Sequence, residues 1–148
     1  MIKKENILIS ACFLDIQCRY DGKGSYLQYL DELMERYNLI PICPEIMGGL
    51  GIPRKPAERI RDKVMNISGQ DVTKYFERGA KEALKIARLY NCKYAILKER
   101  SPSCGYGRIY DGTFSGILIE GNGVTADLFI HNGITVIGES HITKLLVP

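Results

Sequence analysis

Short apolar runs alternate along this chain with longer amphipathic ones. Asn6-Ile7-Leu8-Ile9-Ser10, Leu39-Ile40-Pro41-Ile42, Lys93-Tyr94-Ala95-Ile96-Leu97-Lys98 and Ile134-Thr135-Val136-Ile137 are each nearly continuous in apolar residues, the pattern of strands buried on both faces of a parallel sheet. Pro41 weighs against the second, because proline cannot donate to a ladder. Between these runs the period is helical. Ser25 is placed to cap a helix in which Tyr26, Leu30, Leu33 and Tyr37 share a face, widened by Leu27 and Met34, with Asn38 as a left-handed end. A stronger helix, capped by Asp71 or Thr73, aligns Phe76, Ala80, Ala83, Leu84 and Ala87 and ends near Tyr90-Asn91. Residues 125–131 predict a modest third helix, ended by Gly133. Residues 59–68 predict a small hairpin turning near Arg61-Asp62-Lys63. Residues 46–57, rich in Gly and Pro, read as a shaped loop, and residues 105–123, with six glycines, as a long one holding an extended piece at Ile117-Leu118-Ile119. Strands alternating with helices define an α/β class: a single Rossmann-like three-layer domain over residues 1–148, with a mainly parallel sheet and strand-end loops that carry the site.

Composition adds little to this frame. The chain has 148 residues, of which 45% are hydrophobic and 25% charged, ordinary values for one globular domain. A net charge of +3 is too small to argue for nucleic acid by itself, so no nucleic-acid partner is expected. No apolar run approaches the ~20 residues that span a bilayer, and no membrane partner is expected. Met1-Ile2-Lys3-Lys4-Glu5 leads straight into the first strand with no long apolar leader, so the expected location is cytoplasmic. The five cysteines are odd in number and widely spaced, which in a reducing compartment argues against a disulfide framework.

Cysteine placement does change the picture. Ser101-Pro102-Ser103-Cys104-Gly105 follows the third strand run at once and is loop material, poor for a core. Cys12 and Cys43 stand in the same relation to the first and second runs. Three thiols at the carboxyl ends of parallel strands are expected to converge on a metal centre. Cys92 lies at the opposite end of its strand and reads as a small buried residue. Cys18 reads as a fourth ligand, a redox partner or a thiol behind the ligands. Zinc ribbons and ferredoxin-type clusters use close cysteine pairs or runs, and none occurs here. Widely spaced thiolates remain compatible with an iron–sulfur cluster, in which three ligands leave one iron open to a soft donor; spacing leaves the metal undecided. Glu45 adjoins Cys43. Among the loop cations, Arg19, Lys23, Arg54, Lys55, Arg100 and Arg108 lie nearest these segments and are candidates for an anionic substrate. Tyr20, Tyr106, Tyr110 and Phe114 are candidates for stacking on a flat ring. His131 and His141 fall in no such segment and read as structural.

Ser10-Ala11-Cys12-Phe13-Leu14, Cys18-Arg19-Tyr20-Asp21-Gly22, Cys43-Pro44-Glu45 with Gly48-Gly49-Leu50, Asp71-Val72-Thr73, Glu99 to Gly105, Tyr110-Asp111-Gly112-Thr113-Phe114-Ser115-Gly116 and Gly121-Asn122-Gly123-Val124-Thr125-Ala126 together resemble the thiouracil desulfidase (TudS-like) family, in order and over nearly the whole chain. The resemblance implies a non-redox desulfuration of a thiolated pyrimidine, thiouracil or 4-thiouridine 5′-monophosphate, with release of hydrogen sulfide. It implies a [4Fe–4S] cluster as cofactor, held by Cys12, Cys43 and Cys104, whose unique iron takes the substrate sulfur. It assigns the acid to Glu45 and the reacting hydroxyl to Ser101. Substrate binding is assigned to Arg19, Ser103, Gly105 and Arg108. The competing expectation is a cysteine-ligated metal or cluster module without turnover, a sensor or sulfur carrier. Action on thiouridine within tRNA ranks lower, because the chain shows no appended RNA-binding segment.

Overall fold

In a computed structural model of the protein, residues 3–147 are described; the first two residues of the N-terminal reading above lie outside them. Four strands form one parallel sheet in the order β2-β1-β5-β8: β1 (Glu5–Ser10), β2 (Tyr37–Ile42), β5 (Tyr94–Leu97) and β8 (Thr135–Gly138). They are the four apolar runs of the sequence. Pro41 is accommodated because β2 is an edge strand, where a missing N–H leaves no interior ladder broken.

Alternate residues of each strand feed two cores. Leu8, Ala95, Leu97 and Val136 face the long helix α3 (Thr73–Leu89) and α4 (Val124–His131), meeting Ala83, Leu84, Ala87 and Phe129. Ile7, Ile9, Ile96 and Ile137 face the other way, against Phe13, Leu33 of α1 (Leu30–Arg36), and Ile142 and Leu145 of the closing 3-10 turns. This is the expected three-layer α/β/α arrangement. Among the described residues no helix is long and apolar enough to cross a membrane.

The local departures have identifiable causes. The first helix starts at Leu30, not at Ser25. The Ser25 N–H is bonded to the Cys12 carbonyl (2.8 Å), which ties this segment to the strand end, and the left-handed backbone of Tyr29 (φ 66°) interrupts any helix before Leu30. Tyr37 and Asn38, expected at the helix end, belong to β2: the parallel ladder pairs them with Glu5 and Asn6, and Asn38 Nδ2 donates to Asn6 Oδ1 (3.1 Å). Neither Asp71 nor Thr73 is the cap residue of α3; Val72 holds that place. Asp71 Oδ1 takes the N–H and hydroxyl of Thr73, whose Oγ1 accepts the Val64 N–H (2.9 Å), so the pair fastens the helix start to a neighbouring strand. The hairpin is present as β3 (Ala57–Ile60) and β4 (Lys63–Asn66). The loop expected over 46–57 begins instead inside a short helix, α2 (Pro44–Met47). The glycine-rich stretch contains a second antiparallel ribbon, β6 (Arg108–Tyr110) with β7 (Leu118–Glu120).

Candidate active site

In this strand order the chain leaves β1 toward β2 on one side and later returns to place β5 on the other. Helical connections therefore depart to opposite sides of β1, and a crevice opens at the carboxyl ends of β1 and β5, the usual ligand position of such sheets. Cys12 lies in the 3-10 turn directly after β1, Cys43 directly after β2 and Cys104 in the loop after β5. All three line one cavity of about 810 Å³, together with Cys18, Glu45 and Ser101. All five cysteines are unpaired.

Cys43 and Cys104 are set by different local devices. Cys43 precedes Pro44, which opens α2 at a position where its absent N–H costs no bond. Helix α2 is held by a backbone-to-backbone crossing with α3. A Cβ on Gly79 would lie 1.8 Å from the Pro44 carbonyl oxygen, and one on Gly48 1.9 Å from that of Tyr75, so only glycine allows the approach. The Ser-Pro-Ser-Cys loop is clamped by the start of α4: the N–H groups of Val124 and Thr125 donate to the carbonyls of Pro102 (2.9 Å) and Ser103 (2.8 Å). A Cβ on Gly123 would meet the Ser103 carbonyl carbon at 2.3 Å. These three glycines each meet a residue far away in sequence, so no local period marks Gly79.

Ser101 has a defined hydrogen-bonding role. Its Oγ accepts the N–H of Ser103 (3.1 Å) and of Cys104 (3.0 Å). With both lone pairs engaged, the hydroxyl proton is left to donate. Glu45 is paired through Oε2 with Arg54, and its Oε1 has no protein partner among the described residues. Arg54 also donates to the Cys18 carbonyl (2.9 Å).

The thiols differ in ease of ionisation. Burial pushes Cys104 well up, and nearby Glu45 and Cys43 add to this. Burial also raises Cys12, with a hydrogen bond from Ser25 working against it. Cys18 and Cys43 act as a pair: the hydrogen bond between their sulfurs lowers Cys43 to about 7 and raises Cys18. A metal or cluster bound through these thiols would have to displace protons from Cys12 and Cys104, and Cys43 is the one that yields its proton most readily.

The structure gathers most of the expected site residues but not all. Arg19, Arg54, Lys55 and Arg100 line the cavity, as do Tyr20, Tyr110 and Phe114. Ser103, Gly105, Arg108, Lys23 and Tyr106 are not among its lining residues. Ser103 is buried and bonded to Thr125 Oγ1 (3.0 Å), so it braces the loop against α4. A Cβ on Gly105 would meet the Ser101 carbonyl at 2.7 Å, so this glycine serves close backbone approach. Arg108 is exposed on β6. Cys92 lies in the core facing α3, away from the cavity. His131 Nδ1 is bonded to the Asp127 carbonyl within α4 (2.7 Å).

Among the described residues no three His, Cys, Asp or Glu side chains are gathered closely enough for a single metal ion. The donor set is nonetheless soft: four thiols from three loops, two of them in a buried group with Ala11 and with Cys43 packed against it. Soft thiolates spread around one cavity suit a polynuclear iron–sulfur group better than a compact ion.

Comparison with known proteins agrees with this chemistry. The profile of a family described as 2-thiouracil desulfurase matches residues 7–141. The chain is 41% identical over 150 residues to the Bacillus subtilis (strain 168) protein YbbK, described as uncharacterized, covering 95% of this chain and 99% of that protein. A solved structure, the [4Fe-4S]-dependent thiouracil desulfidase TudS, superposes with a TM-score of 0.91 at 43% identity, over 97% of this chain and 96% of that one.

Proposed function

We propose, for a chain that belongs to the 2-thiouracil desulfurase family, an enzyme that replaces the sulfur of a thiolated pyrimidine by oxygen from water and releases hydrogen sulfide without net redox change. The observation that carries the proposal is the convergence of Cys12, Cys43 and Cys104 with Glu45 and Ser101 on one cavity at the switch point of the sheet. The preferred substrate in this reading is thiouracil or 4-thiouridine 5′-monophosphate. Arg19, Lys55 and Arg100 line the cavity and offer cations to an anionic group, and Tyr20, Tyr110 and Phe114 offer faces to a ring.

Cys12, Cys43 and Cys104 would hold a [4Fe–4S] cluster, with Cys18 behind Cys43 as its hydrogen-bond partner. When bound, the cluster supplies an open iron, a soft Lewis acid for the thiocarbonyl sulfur. The remaining work falls to protein groups. Glu45 accepts a proton at Oε1 from the water that attacks the sulfur-bearing carbon and returns it to sulfur as the C–S bond breaks; the remaining proton of the water leaves the new C–OH group as it becomes C=O, so sulfur departs as hydrogen sulfide with both protons of the water. Ser101 donates its free hydroxyl proton to the pyrimidine as a hydrogen bond, a role open to it because both its lone pairs are occupied. Gly48, Gly79 and Gly123 hold the ligand-bearing loops at the distances on which these roles depend.

The test is anaerobic reconstitution followed by sulfide measurement with thiouracil and with 4-thiouridine 5′-monophosphate. Glu45→Gln and Ser101→Ala are expected to keep the visible absorbance of the cluster and lose turnover, Glu45→Gln by ~10²–10⁴-fold, the usual scale of acid–base catalysis. Full turnover in either variant removes the role assigned to that residue. A protein that takes up no iron, or that takes it up and releases no sulfide from either compound, removes the proposal.

A further inference from the structure

We propose that Arg54 is the positioning residue of Glu45: it holds the carboxylate in the orientation that proton transfer needs. The proposal rests on the reading of Glu45 as the acid–base group. Arg54 stands in the irregular segment between α2 and β3, and nothing in its local sequence distinguishes it from the other loop cations. The structure does distinguish it. Its side chain is 8% exposed, while the cations of the other ion pairs are 17% to 70% exposed. One guanidinium reaches three acceptors: Glu45 Oε2, the Cys18 carbonyl (2.9 Å) and the Gly51 carbonyl (3.2 Å). Its backbone N–H donates to the Tyr20 carbonyl (2.9 Å).

Arg54 therefore joins two separate segments of the cavity wall. One carries Cys18, Arg19 and Tyr20; the other carries Cys43 and Glu45. The Cys18 carbonyl that it contacts also accepts from the Cys43 sulfur (3.8 Å). The acid, the loop and the neighbour of a proposed ligand are thus set by one rigid five-donor fork, a geometry that lysine does not reproduce. Stability alone does not account for a cation here, since a buried ion pair is rarely better than apolar residues of the same shape. Position does account for it: the fork is tied to the Cys18 and Gly51 carbonyls and holds one oxygen of the Glu45 carboxylate in a fixed orientation toward the cavity that Glu45 lines. Its grip on Oε2 leaves Oε1 as the oxygen free for the reaction.

Four reconstituted variants test the assignment: Arg54→Gln, Arg54→Lys, Glu45→Gln and the double variant Arg54→Gln/Glu45→Gln. The readouts are iron per chain, thiouracil binding by equilibrium dialysis, kcat and KM. Arg54→Gln is expected to keep its iron and its thiouracil affinity and to lose kcat by up to ~10²-fold, the scale of a misplaced reacting group, with KM within about twofold of the parent. Arg54→Lys, or guanidinium ion added to Arg54→Gln, is expected to restore part of kcat. In the Glu45→Gln background, Arg54→Gln is expected to cost nothing further, because a residue that acts through Glu45 has nothing left to position. Parent kcat in Arg54→Gln, while Glu45→Gln is inactive, overturns the Arg54 assignment alone. Iron lost from both Arg54→Gln and Arg54→Lys also overturns it, and makes Arg54 a brace for the ligand loops. An equal further loss in the double variant does the same. Full activity in Glu45→Gln overturns the reading of Glu45 and the Arg54 assignment together.

Discussion

Cys43 and Cys104 show how residues of one type acquire different chemistry from their surroundings. The hydrogen bond from Cys18 stabilises the Cys43 thiolate, while burial beside Glu45 and Cys43 keeps Cys104 protonated. The thiolate is the nucleophile, so in metal-free protein alkylation of Cys43 is expected to rise with pH through about 7 and then level off. Cys104 is expected to lag at every neutral pH. Iodoacetamide labelling followed by peptide mass spectrometry measures both; Cys104 modified before Cys43 contradicts the arrangement. Cys18→Ala is expected to move the Cys43 midpoint up toward the ordinary thiol range near ~8.5. At this scale the sequence was legible where position along the chain decides where a residue sits: Cys12, Cys43 and Cys104 each follow a strand closely and line one cavity. It was not legible for Ser103 and Gly105, which share a loop with Cys104 but serve bracing and close approach. Direction of a side chain out of an irregular loop is not periodic, so no pattern reveals it.

Among the elements, α2 matters most for the site although it has only 4 residues. Helices this short do not persist by their own hydrogen bonds. It stands because Gly48 and Gly79 let its backbone touch that of α3. Gly79→Ala is the decisive change. In an isolated helix it adds up to ~1 kcal/mol of propensity. Here the new methyl meets a backbone carbonyl that cannot rotate away, and overpacking of this kind costs about 1–3 kcal/mol. The expected result is a lower melting temperature with loss of iron uptake, since α2 carries Glu45 and follows Cys43. Calorimetry with iron analysis checks this; a stabilised, fully loaded variant contradicts it. The first predicted helix shows the opposite situation. Its apolar spacing was correct for Leu30 and Leu33, but ladder pairing claimed Tyr37 and Asn38, and the left-handed turn at Tyr29, in a segment tied to Cys12 through Ser25, set the late start. Tertiary hydrogen bonds outweighed local propensity at both ends.

At the scale of the whole molecule, the proposed function has the three loops at one end of the sheet completed by a cluster. A group that binds only the folded chain stabilises it by about 2.7 kcal/mol at a free concentration 100 times its Kd. For a domain of this size that is roughly 5–10 °C in Tm. Iron loading under anaerobic conditions is therefore expected to raise Tm by about that amount, and chelation to reverse it. Equal Tm values in loaded and stripped protein contradict a group held by these three loops. Uptake carries a sign in pH as well. Burial raises Cys12 and Cys104, so loading through these thiols, as proposed, would expel their protons and is expected to become more favourable as pH rises. Iron titrations at several pH values measure it.

The sequence by itself determined the α/β class, the four strands of the sheet, the two main helices and the three cysteines that follow strand ends. Each of these rests on short-range pattern: apolar runs, helical period, and polar turn residues after a strand. Only the tertiary structure decided the strand order β2-β1-β5-β8, and with it the crevice where the cysteines meet. It alone decided the glycine crossings that seat α2 and the 101–105 loop, and the fork of Arg54 on Glu45. These contacts join residues 9 to 36 positions apart or lie between separate elements. Their energy depends on distance in space, which burial of the two cores sets and no local period encodes.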